Sequence, residues 1–433
     1  MDKVRYAAVK AVQAITTSGA YSNVVLAQIL RVAKFGNRDR RFCTELVYGT
    51  IKAGASLDWK ISKYMRYPIA KADPQVAAVL RVGAYQIFFM DRVPDSAAVN
   101  ESVEIAKKMG GIGPSKFVNG VLRSIVRNPG RSKFPSGKSP EALALRTFHP
   151  TWIVKLFIDE FGFDETEQLC KADNVNPPLC LRINSLKTTR EKILEELKEA
   201  GVTAEESKIA PEGILCKDHG ALDKLQPLRE GFCQVQDESS MAVSRFLDPQ
   251  PGEFVIDCCA APGGKTTHIA ELMNNSGRIV AADVFETKIE HIKMNAERLG
   301  INIIEPILFD ARKIGEKFSG QADKILVDAP CSGLGVLRRK ADIRWKKKPE
   351  EIEKLPELQF EILSGAAKAL KPGGTLIYST CTIISRENEE IVERFLKENP
   401  DFVFEDKEIF LPHFHNTDGL FMAKLKKKEP AEV

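Results

Sequence analysis

The sequence predicts an α/β protein in which a doubly wound parallel sheet follows a small α+β module and an all-helical N-terminal domain. Apolar residues recur at helical spacing throughout residues 1–130. From Gly252 onward, short apolar runs alternate with helical segments, which is typical of a parallel sheet. At 433 residues the chain is too long for one ordinary core, so more than one domain is expected.

The N-terminal domain is expected over residues 1–130. Its helical periodicity is strongest in five segments and is interrupted by glycine and proline. These segments are residues 6–15, 24–32, 42–51, 76–88 and 97–109. Residues 131–145 are rich in Pro, Gly, Ser and Lys, so they are predicted to be a linker and the domain boundary.

The second module is expected over residues 146–240. A helix is predicted at 152–161, a strand at 179–183 and another helix at 190–200. This mixture indicates a small α+β module, and no catalytic motif stands out in it.

The third domain is expected over residues 241–428 and contains the regular alternation of strands and helices. Its predicted strands are residues 254–259, 278–283, 304–309, 324–328 and 375–378. Its predicted helices are residues 266–273, 285–299 and 351–370.

Composition places the chain among ordinary globular proteins, with 43% hydrophobic and 28% charged residues. No apolar run is long enough to span a bilayer, and the N-terminus has no signal-peptide core, so a cytoplasmic location is expected. The nine cysteines have no metal-ligand spacing, so no metal is expected. Six of them are predicted to be core residues: Cys43, Cys170, Cys180, Cys216, Cys233 and Cys258.

Charge is distributed unevenly along the chain. Residues 1–131 contain 21 Lys and Arg against 9 Asp and Glu, which gives this part a net charge of +12. Because the net charge of the whole chain is +4, the remaining residues carry −8. This asymmetry favours a basic module that meets nucleic acid. The alternative is a lysine-rich surface that serves only solubility.

The first turn of the βα pattern reads Asp-Cys-Cys-Ala-Ala-Pro-Gly-Gly-Lys-Thr over residues 257–266. Small residues there allow a ligand to approach the backbone and the start of a helix. The turn lacks the first glycine of a phosphate-binding G-x-x-x-x-G-K-[ST] loop. Asp283 and Asp310 follow the second and third strands, where an acid binds ribose hydroxyls in doubly wound folds. Two such acids favour S-adenosylmethionine over a dinucleotide, although either acid alone could be a helix N-cap.

Cys331 and Cys381 each follow an apolar run that is predicted to be a buried strand. Ligands of open α/β sheets bind at the carboxyl ends of the strands, so both thiols and Asp328 are expected in one crevice. This arrangement suits covalent chemistry that needs a nucleophile and an acid or base. A single cysteine after a strand is more often a buried small hydrophobe, and spacing does not decide which of the two attacks.

Together, three segments resemble the RNA cytosine-5 methyltransferases of the Sun/Fmu family. They are Cys-Ala-Ala-Pro-Gly-Gly-Lys at 259–265, Asp-Ala-Pro-Cys-Ser-Gly at 328–333 and Ser-Thr-Cys at 379–381. Residues 335–345 and 418–425 also match, although the family more often has Phe at Leu420. The helical N-terminus resembles NusB, an RNA-binding fold.

The resemblance implies a Rossmann-like class I methyltransferase that uses S-adenosylmethionine. In the family the Thr-Cys motif carries the attacking thiol, which implies Cys381, while Cys331 assists product release and Asp328 holds the cytosine edge. The implied cofactor-binding residues are Cys259, Ala260, Ala261, Pro262, Gly263, Gly264, Lys265, Asp283, Asp310 and Asp328. Lys265, Arg338 and Arg339 are candidates for lowering a thiol pKa.

Joining a NusB-like domain to this catalytic domain implies 16S rRNA as substrate, unassembled or partly assembled, bound by a monomer. Two alternatives remain open: a target cytosine in tRNA or at another rRNA site, and a non-catalytic ribosome assembly factor. The basic residues 338–340 and 346–348 could form an RNA track or a solvated face. Trp345 could stack on a base, but packing is the more frequent role of a single Trp.

Overall fold

The computed structural model describes residues 1–217, 222 and 225–430, and its contacts divide the chain into two compact units. Unit 1 comprises Met1–Asn174 and Lys340–Lys346, and unit 2 comprises Val175–Arg339 and Lys347–Val433. The chain therefore leaves unit 2 after Arg339, contributes one short segment to unit 1 and then returns.

Unit 1 is all-helical. Its helices are α1 (Lys3–Ser18), α2 (Ser22–Ala33), α3 (Asn37–Ser62), α4 (Pro74–Phe89), α5 (Asp95–Gly110), α6 (Ile112–Arg127), α7 (Pro140–Thr147), α8 (Thr151–Phe161) and α9 (Phe163–Ala172). Asp2 and Asp73 accept backbone N–H groups of the first turns of α1 and α4, which satisfies donors that have no partner inside the helix. One apolar core joins α1 to α6, and all five predicted helical segments are confirmed.

The predicted linker at residues 131–145 is partly helical, since α7 begins at Pro140. The Ser139 side chain accepts the Ala142 N–H at 3.1 Å, and Leu143 and Ala144 are buried. Ser and Pro at these positions are a helix cap and a first-turn residue rather than signs of an unfolded connection. The predicted boundary therefore falls inside unit 1, which continues to Asn174.

Unit 2 begins with the small α+β module. It contains β1 (Leu179–Ile183), α10 (Arg190–Glu199), β2 (Thr203–Glu206), β3 (Gly213–Lys217), α11 (Gln226–Arg229) and β4 (Cys233–Val235). The strands form an antiparallel sheet in the order β2-β3-β1-β4, and α10 packs on it through Ile193 and Leu197. The predicted α+β architecture is confirmed, whereas residues 146–174, which were predicted to belong to this module, lie in unit 1.

The second sheet of unit 2 has seven strands in the order β10-β11-β9-β8-β5-β6-β7. These strands are β5 (Phe254–Asp257), β6 (Arg278–Asp283), β7 (Ile304–Leu308), β8 (Ala322–Asp328), β9 (Leu370–Thr380), β10 (Phe402–Phe410) and β11 (Leu420–Lys427). The helices are α12 (Glu238–Leu247), α13 (Gly264–Leu272), α14 (Glu286–Leu299), α15 (Ile314–Phe318), α16 (Ile343–Lys346, in unit 1), α17 (Pro349–Ile352), α18 (Leu355–Ala367), α19 (Glu389–Glu398) and α20 (Pro412–His415).

Strands β5 to β9 are parallel and β11 and β10 are antiparallel additions, so the predicted doubly wound sheet is confirmed. Apolar clusters cover both faces of the sheet. The sequence did not reveal β10, because most of this edge strand is exposed and charged and shows no apolar alternation. Over the described residues, no helix is both long and apolar enough to cross a membrane.

Strand register determines which side chains meet at the carboxyl edge of the sheet. β8 and β9 pair in parallel with Asp328 beside Ser379, and β5 pairs with β8 so that Asp257 lies beside Leu326. The residues that follow β5, β8 and β9 therefore emerge side by side.

Candidate active site

The two predicted cysteines meet at this edge. Cys331 lies three residues past β8 and Cys381 directly follows β9, and their Sγ atoms are 2.9 Å apart. Both side chains are partly exposed. The two predicted thiols therefore lie side by side at the carboxyl edge of the sheet.

Asp328 lies beside the cysteines and holds two partners. Its Oδ2 is 2.7 Å from the Lys265 Nζ, and its Oδ1 accepts the Ser379 hydroxyl at 2.9 Å. Burial lowers the pKa of Lys265, but the charge and hydrogen bond of Asp328 and the charge of Cys381 outweigh it and raise that pKa. Lys265 therefore stays charged and points at the predicted catalytic carboxylate.

The thiol of Cys331 is held in its protonated form. Its hydrogen bond with Cys381, its burial, and the negative charges of Cys381, Glu387 and Asp328 raise the pKa of Cys331 well above the ordinary value. A protonated Cys331 can donate its S–H to the sulfur of Cys381. The 2.9 Å contact allows either sulfur to donate, and the raised pKa of Cys331 favours the arrangement in which Cys331 donates to Cys381.

The cofactor turn follows β5 and leads into α13. The peptide bond between Ala261 and Pro262 is cis, and Gly263 has φ +99°, a left-handed conformation that favours glycine. Burial, followed by the charges of Asp257 and Asp328, raises the pKa of Cys259, which disfavours its thiolate form.

The turn and its neighbours suit the adenosine and sulfonium parts of the expected cofactor. The Oδ1 of Asp257 is buried and has no hydrogen-bond partner among the described residues, and burial raises its pKa to about 7. Beyond the end of β6, the apolar side chains of Val284 and Phe285 are exposed beside the buried Asp283. A buried acceptor and an open apolar surface beside small residues provide polar and stacking partners for a nucleoside.

The two acids predicted to bind the cofactor differ in their surroundings. Asp283 accepts the Phe285 N–H at 3.2 Å and lies 3.5 Å from the Lys288 Nζ. Asp310 caps a short 3₁₀ helix through the Arg312 N–H and forms a bidentate pair with the Arg312 guanidinium. Asp310 is therefore a helix N-cap, which was the alternative interpretation. A role of Asp283 or Asp310 in cofactor binding stays a prediction.

One buried arginine behind the cofactor turn was missed by the sequence reasoning. Arg182, in β1, donates to the Gly264 carbonyl at 2.7 Å and to both oxygens of Glu271, which lies in α13. Its side chain is 0% exposed and that of Glu271 is 2% exposed, so the pair is fully enclosed. The available signal was a single Arg inside the apolar run Leu-Cys-Leu-Arg-Ile at 179–183.

Three buried polar residues near the cysteines were also missed: Gln359, Glu387 and Asn388. Glu387 and Asn388 belong to the acidic stretch Arg-Glu-Asn-Glu-Glu at 386–390, whose composition is typical of a solvated helix start. No sequence signal separates these two residues from their exposed neighbours.

Arg338 and Arg339, which were candidates for an RNA track and for lowering a thiol pKa, are engaged by other residues of unit 2. Arg338 is buried and donates to the Thr417 carbonyl, and Arg339 pairs with Asp237 and Asp418. Two acids in this enclosed part of the fold hold the guanidinium in place. The motif around Asp418 therefore anchors the chain that follows Cys331.

Trp345 packs inside unit 1, so the packing interpretation is confirmed. Its Nε1 donates to the Lys52 carbonyl at 3.2 Å, and a Cβ added at Gly54 would lie 2.3 Å from its ring. The six cysteines predicted as core residues are all buried, which confirms them as well. Among the described residues, no group of His, Cys, Asp and Glu could hold a metal ion.

Comparison with known proteins gives the same three modules. The model of the 16S rRNA methyltransferase RsmB/F family matches residues 244–426, that of the NusB family matches 2–127, and a ferredoxin-like domain of RsmF/B-like methyltransferases matches 149–223.

Full-length relatives and a solved structure are also similar to the chain. The probable ribosomal RNA small subunit methyltransferase B of Bacillus subtilis is 40% identical, over 98% of this chain and 99% of the relative. The ribosomal RNA small subunit methyltransferase B of Salmonella paratyphi B is 33% identical, over 99% of each. The crystal structure of PH0851 has a TM-score of 0.85 and 29% identity and covers 99% of each chain.

Proposed function

The chain belongs to the ribosomal RNA small subunit methyltransferase B family, and from this membership we propose the finer chemistry of its reaction. The protein transfers a methyl group from S-adenosylmethionine to C5 of a cytosine in 16S rRNA, through a covalent bond between Cys381 and C6. The observation that carries this proposal is the Sγ–Sγ distance of 2.9 Å between Cys331 and Cys381, beside the Asp328–Lys265 pair.

Cytosine C5 is a poor nucleophile, so the ring has to be activated first. Addition of the Cys381 thiolate to C6 makes C5 enamine-like, and Asp328 in its acid form donates its proton to N3 as negative charge develops there. The bound cofactor supplies an electrophilic methyl group on a sulfonium. Asp257, Asp283 and the turn at 259–264 would hold that cofactor.

Product release needs the reverse bond change at C6. A base removes the C5 proton, the electrons of that bond restore the C5–C6 double bond, and the C6–S bond breaks. Cys381 then leaves as a thiolate, to which the protonated Cys331 donates its S–H. The raised pKa of Cys331 supports this division of labour, because a thiolate at position 331 could not donate.

The substrate base has to be reachable, since duplex RNA hides the C5 edge of cytosine. A loop, or a base flipped out of its stack, satisfies this requirement in unassembled or partly assembled small subunits. The basic residues 1–131 support RNA binding by the NusB-like part of the chain. We expect a monomer that acts in the cytoplasm.

The test is tritium transfer from methyl-labelled S-adenosylmethionine to unmodified 16S rRNA, followed by nucleoside analysis. Label in 5-methylcytidine is expected. Label in tRNA instead would identify tRNA as the substrate in place of 16S rRNA. If the protein binds the cofactor but no RNA is labelled, the result would favour a non-catalytic assembly factor.

Two cysteine variants test the covalent step. Cys381→Ala is expected to reduce methyl transfer to background while cofactor affinity stays unchanged. Cys331→Ala should accumulate a covalent RNA adduct, visible as a slow band on a denaturing gel, because the leaving thiolate loses its hydrogen-bond donor. An adduct with Cys381→Ala and none with Cys331→Ala would exchange the two roles.

A further inference from the structure

Two adjacent residues, Glu387 and Asn388, hold the chain next to the two active-site cysteines, Glu387 with the help of Gln359. Both are fully buried in the short turn between β9 and α19. They lie six and seven residues after Cys381 in the sequence. Neither side chain has a part in the reaction as described above.

Glu387 fixes the loop that carries Cys331. Its Oε2 accepts the backbone N–H of Ser332 at 2.9 Å and the amide N–H of Gln359 at 2.8 Å. The same Gln359 nitrogen donates to the carbonyl of Pro330 at 3.0 Å. The peptide groups directly before and after Cys331 are therefore both held by one buried pair of side chains.

Asn388 does the same for Cys381. Its Oδ1 accepts the Thr380 hydroxyl at 2.5 Å, and its Nδ2 donates to the Thr382 carbonyl at 3.2 Å. Thr380 and Thr382 are the neighbours of Cys381 on either side.

Two further hydrogen bonds connect these attachments. The Ser332 hydroxyl donates to the Thr382 hydroxyl at 2.8 Å, which joins the two cysteine loops directly. The Tyr378 hydroxyl donates to the Glu387 carbonyl at 2.6 Å, which fixes the turn to β9. Every group in this network lies in unit 2.

We propose that Glu387 and Asn388 are positioning residues that set the separation and orientation of the two active-site sulfurs. A buried hydrogen-bonded network confines its members to one arrangement, and small displacements of reacting groups cost large factors in rate. Glu387 has a second effect, because its charge lies close enough to contribute to the raised pKa of Cys331. Its carboxylate thus orients the loop and helps keep the release thiol protonated.

The inference rests on the proposed function for its catalytic meaning, but its test does not require RNA. The full-length protein is treated with iodoacetamide across a pH series, and the alkylation of Cys331 and Cys381 is followed by peptide mass spectrometry. Glu387→Gln keeps the shape of the side chain and removes the charge. We expect the Cys331 midpoint to fall by about half a pH unit or more, which is about a threefold faster reaction below the midpoint.

The matched control is Glu390→Gln, an exposed acid in the same acidic stretch. It should leave both alkylation profiles unchanged. Profiles of Glu387→Gln that superimpose on those of the wild type would overturn the role of Glu387. If Glu387→Gln lowers the melting temperature so far that it does not fold, Gln359→Met decides instead. It keeps the carboxylate but frees the Pro330 carbonyl, so unchanged Cys331 alkylation in that variant would equally overturn the proposal.

Methyl-transfer kinetics separate this inference from the proposed function. Asn388→Ala should lower kcat by about tenfold or more with KM for RNA unchanged, since it disturbs the nucleophile loop and not RNA binding. If the wild-type protein methylates RNA and the Asn388→Ala variant has the same kcat, Asn388 has no positioning role. A wild type that methylates no RNA, with the alkylation shift still present, would reject the function and keep the positioning role.

Discussion

Asp283 and Asp310 have similar positions in the sequence, since each follows a strand of the βα pattern, but their partners differ. Asp310 is already engaged by the Arg312 guanidinium, which lowers its pKa. Asp283 is only 6% exposed. Its contacts are the Phe285 N–H, at 3.2 Å, and the Lys288 Nζ, at 3.5 Å. Asp283 is therefore the more available of the two to a ribose.

We predict that Asp283→Ala weakens binding of S-adenosylmethionine by roughly 10- to 100-fold, the usual effect of removing a hydrogen bond to a charged group. Asp310→Ala is the control and should change affinity by less than about threefold, since Arg312 occupies its carboxylate. Isothermal titration calorimetry on both variants measures this. Equal losses would show that Arg312 releases Asp310 when the cofactor binds.

Among the individual residues, those that follow a predicted strand could be identified from the sequence. Cys331, Cys381 and Asp328 could be predicted because an apolar strand run ends just before or at each of them. Glu387 could not, because it lies in an acidic stretch that is typical of a solvated helix start. Gln359 could not, because no sequence signal in α18 sets it apart as a residue that the tertiary fold buries. Burial of a polar residue depends on partners distant in sequence, which one chain does not reveal.

Among the elements, α13 packs against the rest of unit 2 through buried ionisable side chains. Besides Glu271, which pairs with Arg182, it carries His268, whose Nε2 lies 2.7 Å from the Glu212 carboxylate. Burial, followed by the nearby arginine charges, lowers the pKa of His268 to about 4, against the hydrogen bond and charge of Glu212 that raise it. The imidazole is therefore neutral in the folded protein at physiological pH.

We predict that the free energy of unfolding falls as the pH drops from about 6.5 toward 4. The unfolded chain takes up a proton at His268 in this range and the folded chain does not, so stability is present above 6.5 and is lost toward 4. The contribution is about 3 kcal/mol. Denaturant titrations across this range should show a shallower slope for His268→Gln, whereas the exposed His291→Gln should keep the wild-type slope.

The elements themselves were largely predictable, and the exceptions have physical causes. Apolar periodicity located the first five helices and the five parallel strands because these elements each bury one or both faces. α7 was missed because its capping Ser139 and first-turn Pro140 resemble linker residues. β10 was missed because an edge strand that turns charged side chains to solvent has no apolar alternation.

For the whole molecule, the notable feature is that unit 1 is not continuous in sequence. Arg344, from the segment Lys340–Lys346, is fully buried there and donates to the Phe148 carbonyl, the Asn174 Oδ1 and the Asp173 carbonyl. The Ser22 N–H donates to Asp342 at 3.1 Å, at the start of α2. The helical unit thus depends on residues that follow Cys331 by about a dozen positions.

We predict that Arg344→Met destabilises unit 1 by about 3 kcal/mol, because buried carbonyl groups lose a charged donor. Hydrogen exchange followed by mass spectrometry should show faster exchange in peptides around residues 144–150 and 170–176. Arg394→Met is the control, since the exposed pairs of Arg394 with Glu357 and Glu398 contribute little. Unchanged exchange in Arg344→Met would mean that Trp345 packing alone holds the segment.

The discontinuity also imposes an order in time during protein synthesis. The residues of unit 1 up to Asn174 leave the ribosome first, and 165 further residues (339 − 174) are made before Lys340 follows. At typical elongation rates this interval lasts roughly 8 to 30 seconds, which is long compared with the folding of helical domains. During that interval the nascent helical unit lacks the Arg344 guanidinium that binds the Phe148 and Asp173 carbonyls in the complete protein, because residue 344 has not yet been synthesised. A ribosome that stops before residue 340 therefore releases a chain in which neither unit is complete.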